Sequence, residues 1–379
     1  MKIRDDILPV LKPDGGQEEI KLLEEVIYSG WWGKGSKVEQ LEKRFAKLVG
    51  TKYALAVTSN SIGQDLILKA NNITNRDVIS PTISFLTTGI VPLWNNCESI
   101  LCDVDEITLN LDPSDVKNYI NENTGAIISV NYAGLQSNID ELKRYFGGLI
   151  IEDCALSCYS PGSGLKGDVS VWSFQAVKTL SCGDGGMITT NDSVLYNKLK
   201  PMINFGIPST TYQRSTKTSK NKKNKLSPGY VWDYEVNSLG YKAYMNDIQA
   251  SIALAQLDKL NQFMKRRKLI QETYNSELKD YIHLPPWSET AQLYPARVEK
   301  DHRNSLMNYL ASKNIHTTVH FKPLHLHPIL KHDRNFPVAN KEWKKLISLP
   351  CHAGMKDYDV EYVIYWIKNY FKKYNCNRT

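Results

Sequence analysis

Residues Val171 to Gly186 read VWSFQAVKTLSCGDGG. An apolar, strand-like run takes in one lysine, Lys178, and then breaks into glycine. A lone lysine beside an apolar segment ordinarily lays its stem along the surface and leaves its ammonium in water. A lysine with chemistry to perform needs partners that the fold brings to it. The meaning of Lys178 therefore depends on the chain around it.

Working outward, residues 36–190 alternate short apolar runs with helical segments. SKVEQLEKRFAKLVG (36–50) predicts a helix with Ser36 and Glu39 as a capping box and Val38, Leu41, Phe45 and Leu48 on one face. YALAV (53–57), DVIS (77–80), SILCD (99–103), AIISV (126–130) and LIIED (149–153) predict strands. Strands that are apolar throughout and separated by helices argue for a mostly parallel sheet covered on both faces. Ligands bind such sheets beyond the carboxyl ends of the strands. Asp153 ends one of these strands, and loops beginning at Thr58 and Pro81 follow two others. A long helix is expected from about Asp247 to Glu277, followed by a smaller α+β region closed by the helix DVEYVIYWIKNYFKK (359–373). The expected organisation is a large α/β domain over residues 1–250 and a small C-terminal α+β domain over 251–379.

The totals narrow the possible functions. The chain has 379 residues, 42% of them hydrophobic and 23% charged, with a net charge of +7. That composition belongs to a water-soluble globular protein, and the length exceeds one ordinary core. No basic face or arm recurs to mark a nucleic-acid binder, although the positive balance suits an anionic small molecule. The seven cysteines show neither C-x-x-C pairs nor zinc spacing, which argues for free thiols in a reducing compartment. MKIRDDILPVLKP at the N-terminus lacks the apolar stretch of a signal peptide, and no run reaches membrane-spanning length. The expectation is a cytoplasmic protein with no membrane partner.

Phosphate-loop and dinucleotide fingerprints are absent, and GDGG (183–186) has the wrong spacing for either. His320, His325, His327 and His332 lack both metal-ligand spacing and a completing carboxylate or cysteine, so no metal is expected. What remains is Lys178 paired with Asp153. Pyridoxal 5'-phosphate needs an amine for its aldehyde and an acid group to keep its pyridine nitrogen protonated. It also needs a cradle of hydroxyl and N–H groups for its phosphate, which TSNSIG (58–63), between a strand and a helix, would supply.

At these residues the sequence resembles the DegT/StrS-type nucleotide-sugar aminotransferases, which belong to the fold-type I pyridoxal-phosphate enzymes. The likeness runs through GWWGKGSKVEQLEKRFAKLVG (30–50), AVTSNSIGQDLIL (56–68), PTISFLTTGIVPL (81–93), DVDEITLNLDP (103–113), IEDCALS (151–157), SFQAVKTLSCGDGGMITTND (173–192), GYKAYMNDIQASIALAQLDKL (240–260), VHFKPLHLHP (319–328) and LPCHAGM (349–355). It implies that Lys178 is the cofactor-linking lysine and proton shuttle, and that Asp153 partners the pyridine nitrogen. Asn60, Ser61 and Ile62 would form the phosphate loop, joined by Ser173. Phe85 would stack on the ring, with Gln175 also at the cofactor. Lys242 would reach the cofactor phosphate of a neighbouring subunit, which implies a homodimer with shared active sites. Trp32, Arg214, His320 and His325 are assigned to the substrate side.

Some positions depart from the family pattern. Leu156 stands where a His or Gln commonly meets the pyridine hydroxyl, Gln175 replaces a His, and Thr179 replaces an Asn. The implied reaction moves an amino group from glutamate, leaving 2-oxoglutarate, to a nucleotide-linked 4-keto-6-deoxy sugar. Alternatives are a 3-keto sugar, a smaller keto-phosphate, or a regulatory protein that keeps the fold without turnover. In the basic run RSTKTSKNKKNK (214–225), Arg214 and some of Lys217, Lys220, Lys222, Lys223 and Lys225 are expected to order over a substrate diphosphate.

Overall fold

Residues 1–158, 160–214 and 234–374 are described by the structure, a computed structural model. Seven strands form the central sheet: β1 (Tyr53–Val57), β2 (Asp77–Pro81), β3 (Glu98–Cys102), β4 (Thr124–Val130), β5 (Leu149–Asp153), β6 (Val169–Ser173) and β7 (Gly186–Thr190). They lie in the order β1-β7-β6-β5-β4-β2-β3. The pairs from β3 to β6 are parallel, and β7 runs against both β1 and β6.

Alternation along each strand decides which layer each side chain joins. Leu55, Val57, Val171 and Ile188 face the helices Asn60–Ala70 and Ser193–Met202. Ala54, Ala56, Trp172 and Met187 face the helices Ser36–Val49 and Asp247–Leu278. With helices on both sides, every residue of β2, β4 and β7 is buried. This is why AIISV of β4 reads as a mostly apolar run rather than an alternating one. Each fully buried aliphatic side chain contributes roughly 1.5–3 kcal/mol.

The helix Ser36–Val49 buries Val38, Leu41 and Phe45 as its pattern requires, and Leu48 is partly exposed. Its cap differs from the capping box read in the sequence. Gly35 is the N-cap, Ser36 is the first helical residue, and neither supplies a side-chain bond. The acceptor comes instead from Asp247, whose carboxylate receives the N–H groups of Gly35 (2.9 Å), Lys37 (3.1 Å) and Val38 (3.0 Å). A Cβ at Gly35 would lie 2.5 Å from the Trp31 ring and 2.7 Å from Asp247 Oδ2. Only glycine permits that approach.

The helix Asp247–Leu278 straddles two cores. Ala250, Ala253, Leu254 and Leu260 pack with the sheet layer. Ile270, Tyr274 and Leu278 pack with the last third of the chain. There the strands β8 (Tyr294–Arg297) and β9 (Leu346–Leu349) pair antiparallel beside the helix Asp357–Lys373. The six described cysteines are buried and free. Among the described residues no helix is long and apolar enough to cross a membrane.

Candidate active site

The carboxyl ends of β1, β4, β5 and β6 open onto one cavity of about 410 Å³. β7 runs the other way, so its first residue, Gly186, reaches the same edge. A Cβ on Gly186 would sit 2.6 Å from the Ser59 carbonyl carbon and 2.7 Å from the Asn60 nitrogen. The helix Asn60–Ala70 can start against the sheet only because that Cβ is absent.

Ser59 caps this helix, its Oγ accepting from Ile62 N at 3.2 Å. Ser61 Oγ lies 2.7 Å from Thr87 Oγ1, and both residues line the cavity. Two hydroxyls at the positive end of an eleven-residue helix suit an anion.

Asp153 ends β5 and is 4% exposed. Its Oδ1 accepts from Asn60 Nδ2 and from Ala155 N, each at 2.9 Å, and its Oδ2 accepts from Gln64 Nε2 at 2.8 Å. Burial pushes its carboxyl above the ordinary range. The Ala155 and Asn60 bonds, the charge of Lys178 and the Gln64 bond pull it back in part.

Lys178 lies beyond β6, in the loop after Ser173 rather than on a strand, with its N–H bonded to the Gln175 carbonyl at 2.9 Å. Its amine is ringed by protein and meets solvent through the cavity. Burial lowers it from 10.5 to about 8, against the opposing pulls of Asp153 and Cys158. Gln292 brackets this loop. Its Oε1 accepts from the backbone N–H of Thr179 at 2.9 Å and from the Thr179 hydroxyl, and its Nε2 donates to the Val177 carbonyl at 3.3 Å. The fully buried Arg267 donates to the carbonyls of Gln292 (3.2 Å) and Cys351 (2.6 Å), and so holds the bracket from behind.

His320 lines the wall opposite. Its Nδ1 is 2.8 Å from Ser348 Oγ, and its carbonyl accepts from the Tyr132 hydroxyl. Burial, with Lys178 adding to it, lowers this imidazole to about 4.

The cavity also brings together Asn60, Phe85, Leu156, Ser173 and Gln175 from the sequence reading. Phe85 is 59% exposed and meets Phe321 edge-on at 6.1 Å. The Asn60 side-chain amide turns to Asp153, a role apart from the backbone place in the phosphate loop that the resemblance implies for it. Ile62 stands one turn behind, offering its N–H to the Ser59 cap. Four assigned residues lie elsewhere in the chain. Trp32 is exposed, with Nε1 bonded to the Ile27 carbonyl at 3.3 Å. Lys242 is exposed beside Asn204. Arg214 donates to Ser209 O at 2.5 Å and covers the Tyr234 ring. His325 is buried between Thr82 Oγ1 (2.6 Å) and Asn340 Oδ1 (3.1 Å) and stacks on Phe336. The expected basic cover at Lys217, Lys220, Lys222, Lys223 and Lys225 falls outside the described residues.

Gln64, Thr87 and Gln292 are absent from the sequence reading. The i, i+4 spacing of Asn60 and Gln64 was the one available signal, since it places two amides on the same helical face. Among the described residues, no group of three or more His, Cys, Asp or Glu is placed to hold a metal.

A reactive amine of lowered basicity, a single buried carboxylate and a hydroxyl-lined helix terminus make a donor set that fits pyridoxal phosphate. Lys178 would take its aldehyde, Asp153 its ring nitrogen, and Ser61 with Thr87 its phosphate. Such a set on this sheet defines the class of fold-type I pyridoxal-phosphate enzymes. The chain belongs to the DegT/DnrJ/EryC1/StrS aminotransferase family, whose sequence profile matches residues 13–368. It is an aminotransferase, and this family depends on pyridoxal phosphate. It is 33% identical to the spore coat polysaccharide biosynthesis protein SpsC of Bacillus subtilis (strain 168), over 97% of this chain and 98% of that one. The aminotransferase TlmJ from Streptoalloteichus hindustanus has a TM-score of 0.87 at 27% identity, over 97% and 100% of the two chains. The putative sugar aminotransferase Spr1654 from Streptococcus pneumoniae, in its PMP form, has a TM-score of 0.87 at 26% identity, over 96% and 99%.

Proposed function

We propose that this aminotransferase moves an amino group from glutamate to the keto group of a nucleotide-linked keto-deoxy sugar, specifically a 4-keto-6-deoxyhexose, to give the 4-amino sugar. The observation that carries the reading is the meeting of the Lys178 amine, the Asp153 carboxylate and the Ser61–Thr87 hydroxyls in one cavity. Similarity to a spore coat polysaccharide biosynthesis protein and to a putative sugar aminotransferase supports a sugar acceptor. The apolar wall of Leu11, Leu156, Val177 and Leu293 suits a deoxygenated carbon better than a hydroxylated one.

When bound, the cofactor supplies an electron sink that makes a carbon-bound hydrogen acidic. The chain's part is to hold and move protons around it. Lys178, lowered to about 8, takes up and returns a proton at its Nζ near neutral pH, as a group serving both half-reactions must. Asp153, which accepts from Asn60, Ala155 and Gln64 against the cost of burial, would keep positive charge on the ring nitrogen when the cofactor is bound. His320 stays neutral at working pH and adds no competing cation beside Lys178. Lys242, exposed in the single chain, is assigned to the cofactor phosphate of a second copy in a homodimer with shared sites.

The test is the visible spectrum of the purified protein loaded with pyridoxal phosphate, before and after glutamate, beside Lys178→Ala. A yellow band that glutamate bleaches in the wild type alone, and that a keto-sugar nucleotide restores, is the expected result. Restoration by a keto-phosphate lacking the nucleotide refutes the acceptor, and a band indifferent to both glutamate and Lys178→Ala refutes the reaction.

A further inference from the structure

Asp153 is held by more than its place on β5. Asn60 opens the helix Asn60–Ala70, and Gln64 follows one turn later on the same face. Gln64 is 0% exposed, and its Nε2 lies 2.7 Å from Asn60 Oδ1 and 2.8 Å from Asp153 Oδ2. Asn60 Nδ2 in turn lies 2.9 Å from Asp153 Oδ1 and 3.2 Å from the Val171 carbonyl.

The Val171 carbonyl decides the orientation of both amides. Val171 lies on β6 directly opposite Asp153 in register. A main-chain carbonyl only accepts, so it fixes the Asn60 NH₂ toward β6 and Asp153, and the Asn60 oxygen toward Gln64. Gln64 must then present its own NH₂, because its oxygen would face two acceptors. Gln64 Oε1 is left buried without a partner. A methionine would fill the same volume without an unpaired carbonyl, so the reason for glutamine is what its NH₂ serves, Asn60 and Asp153.

We propose that Gln64, acting with Asn60, is a positioning residue for Asp153: the two amides aim its carboxylate into the cavity and hold it charged there. This rests on the reading that Asp153 serves the ring nitrogen of the cofactor. The groups facing Asp153 are few. Among the described residues, Lys178 is the cation that acts on Asp153, Cys154 follows Asp153 just past the end of β5, and the helix and β6 present Asn60, Gln64 and the Val171 carbonyl. Burial works against the anion. The Ala155 N–H, Lys178 and the two amides work for it. Removing the Gln64 donor therefore moves the Asp153 proton equilibrium toward the acid form.

Gln64→Met and Gln64→Glu test this in the full chain. The first keeps length without a donor, and the second keeps shape but sets a second carboxyl against Asp153. In the pH dependence of the glutamate-driven bleaching rate, the acidic limb of Gln64→Met should move up by about one pH unit, a tenfold change in proton affinity. That of Gln64→Glu should move further, while the alkaline plateaus stay within about threefold of wild type. A second readout needs no cofactor. An acid whose folded value lies above its unfolded one stabilises most at low pH, and that contribution falls as pH rises toward the folded value. Cofactor-free Gln64→Met should thus lose more melting temperature than wild type between pH 4 and pH 8. Superimposable pH profiles and parallel melting curves for both variants overturn the proposal. Asp153→Asn separates it from the reading beneath it. If that variant keeps wild-type bleaching, Asp153 does not serve the ring nitrogen, whereas the melting comparison still decides whether the amides hold its charge.

Discussion

Lys178 allows a quantitative test of what burial does to the site. Its amine is lowered from 10.5 to about 8, and capture of an aldehyde requires the neutral form. At pH 7 about one amine in ten is then neutral, against about one in 3,000 for an unperturbed lysine, a gain of about 300-fold. The assay mixes cofactor-free protein with pyridoxal phosphate in a stopped-flow cell from pH 6 to pH 10 and follows the growth of the visible band. The rate should rise about tenfold per pH unit, bend near pH 8, and level above pH 9. A rate that keeps climbing through pH 10 would refute the reasoning. Stability supplies a second reading, with a definite sign. A lysine lowered in the fold binds fewer protons than in the unfolded chain, so it burdens the fold below pH 8 and ceases to do so as pH rises toward 10.5. The displacement corresponds to about 3 kcal/mol at 1.36 kcal/mol per pH unit. Cofactor-free Lys178→Met should therefore be more stable than wild type at pH 7, with the difference closing above pH 10.

Two further outcomes follow from groups that act at a distance. Asp247→Ala strips the acceptor from three N–H groups at the start of the helix Ser36–Val49, a loss of about 3–5 kcal/mol. For 379 residues the unfolding entropy is about 0.8 kcal/mol/K, so calorimetry should record a fall of roughly 4–6 °C. A fall below about 1 °C contradicts the capping role. Gln292→Leu leaves the Thr179 N–H and hydroxyl without their buried acceptor beside Lys178. The single-turnover rate with glutamate should drop about tenfold or more, equivalent to 1.4 kcal/mol or more, with little change in glutamate binding. Gln292→Glu, which keeps the acceptor oxygen, should restore most of the rate, and an unchanged rate in Gln292→Leu would count against the bracket.

The sheet was legible because burial on both faces forces a pattern that burial alone explains. LIIED and YALAV fall on β5 and β1 residue for residue, and the other three strands shift only at their ends. The cap of the helix Ser36–Val49 was misread for the opposite reason. Ser36 and Glu39 have the right local spacing, but Asp247 supplies a better acceptor from a distant part of the chain. The strand assigned around Lys178 also stops early, at Ser173. The turn that follows is fixed by Gln292, more than a hundred positions away in sequence. Histidines misled similarly: His320 and His325 share one segment, but Thr82 and Asn340 hold His325 inside the wall, leaving only His320 at the cavity.

The charged residues of the site are legible from chemistry, whereas the resemblance alone points to Asn60, only the i, i+4 spacing to Gln64, and nothing in the sequence to Gln292. Lys178 and Asp153 stand out because a charge near an apolar run demands a reason. Asn60, Gln64 and Gln292 carry no charge and fit any helix or loop, yet they decide how the charges stand. In a dry cavity both charged forms are unfavourable, and burial drives the amine and the carboxyl toward neutrality together. A further cation could hold the carboxylate, but it would also lower the basicity of Lys178 again. Amide donors favour the anion without adding a charge. Among the described residues they leave Lys178 as the cation acting on Asp153, and the balance between that pair is what Gln64→Glu would upset most directly.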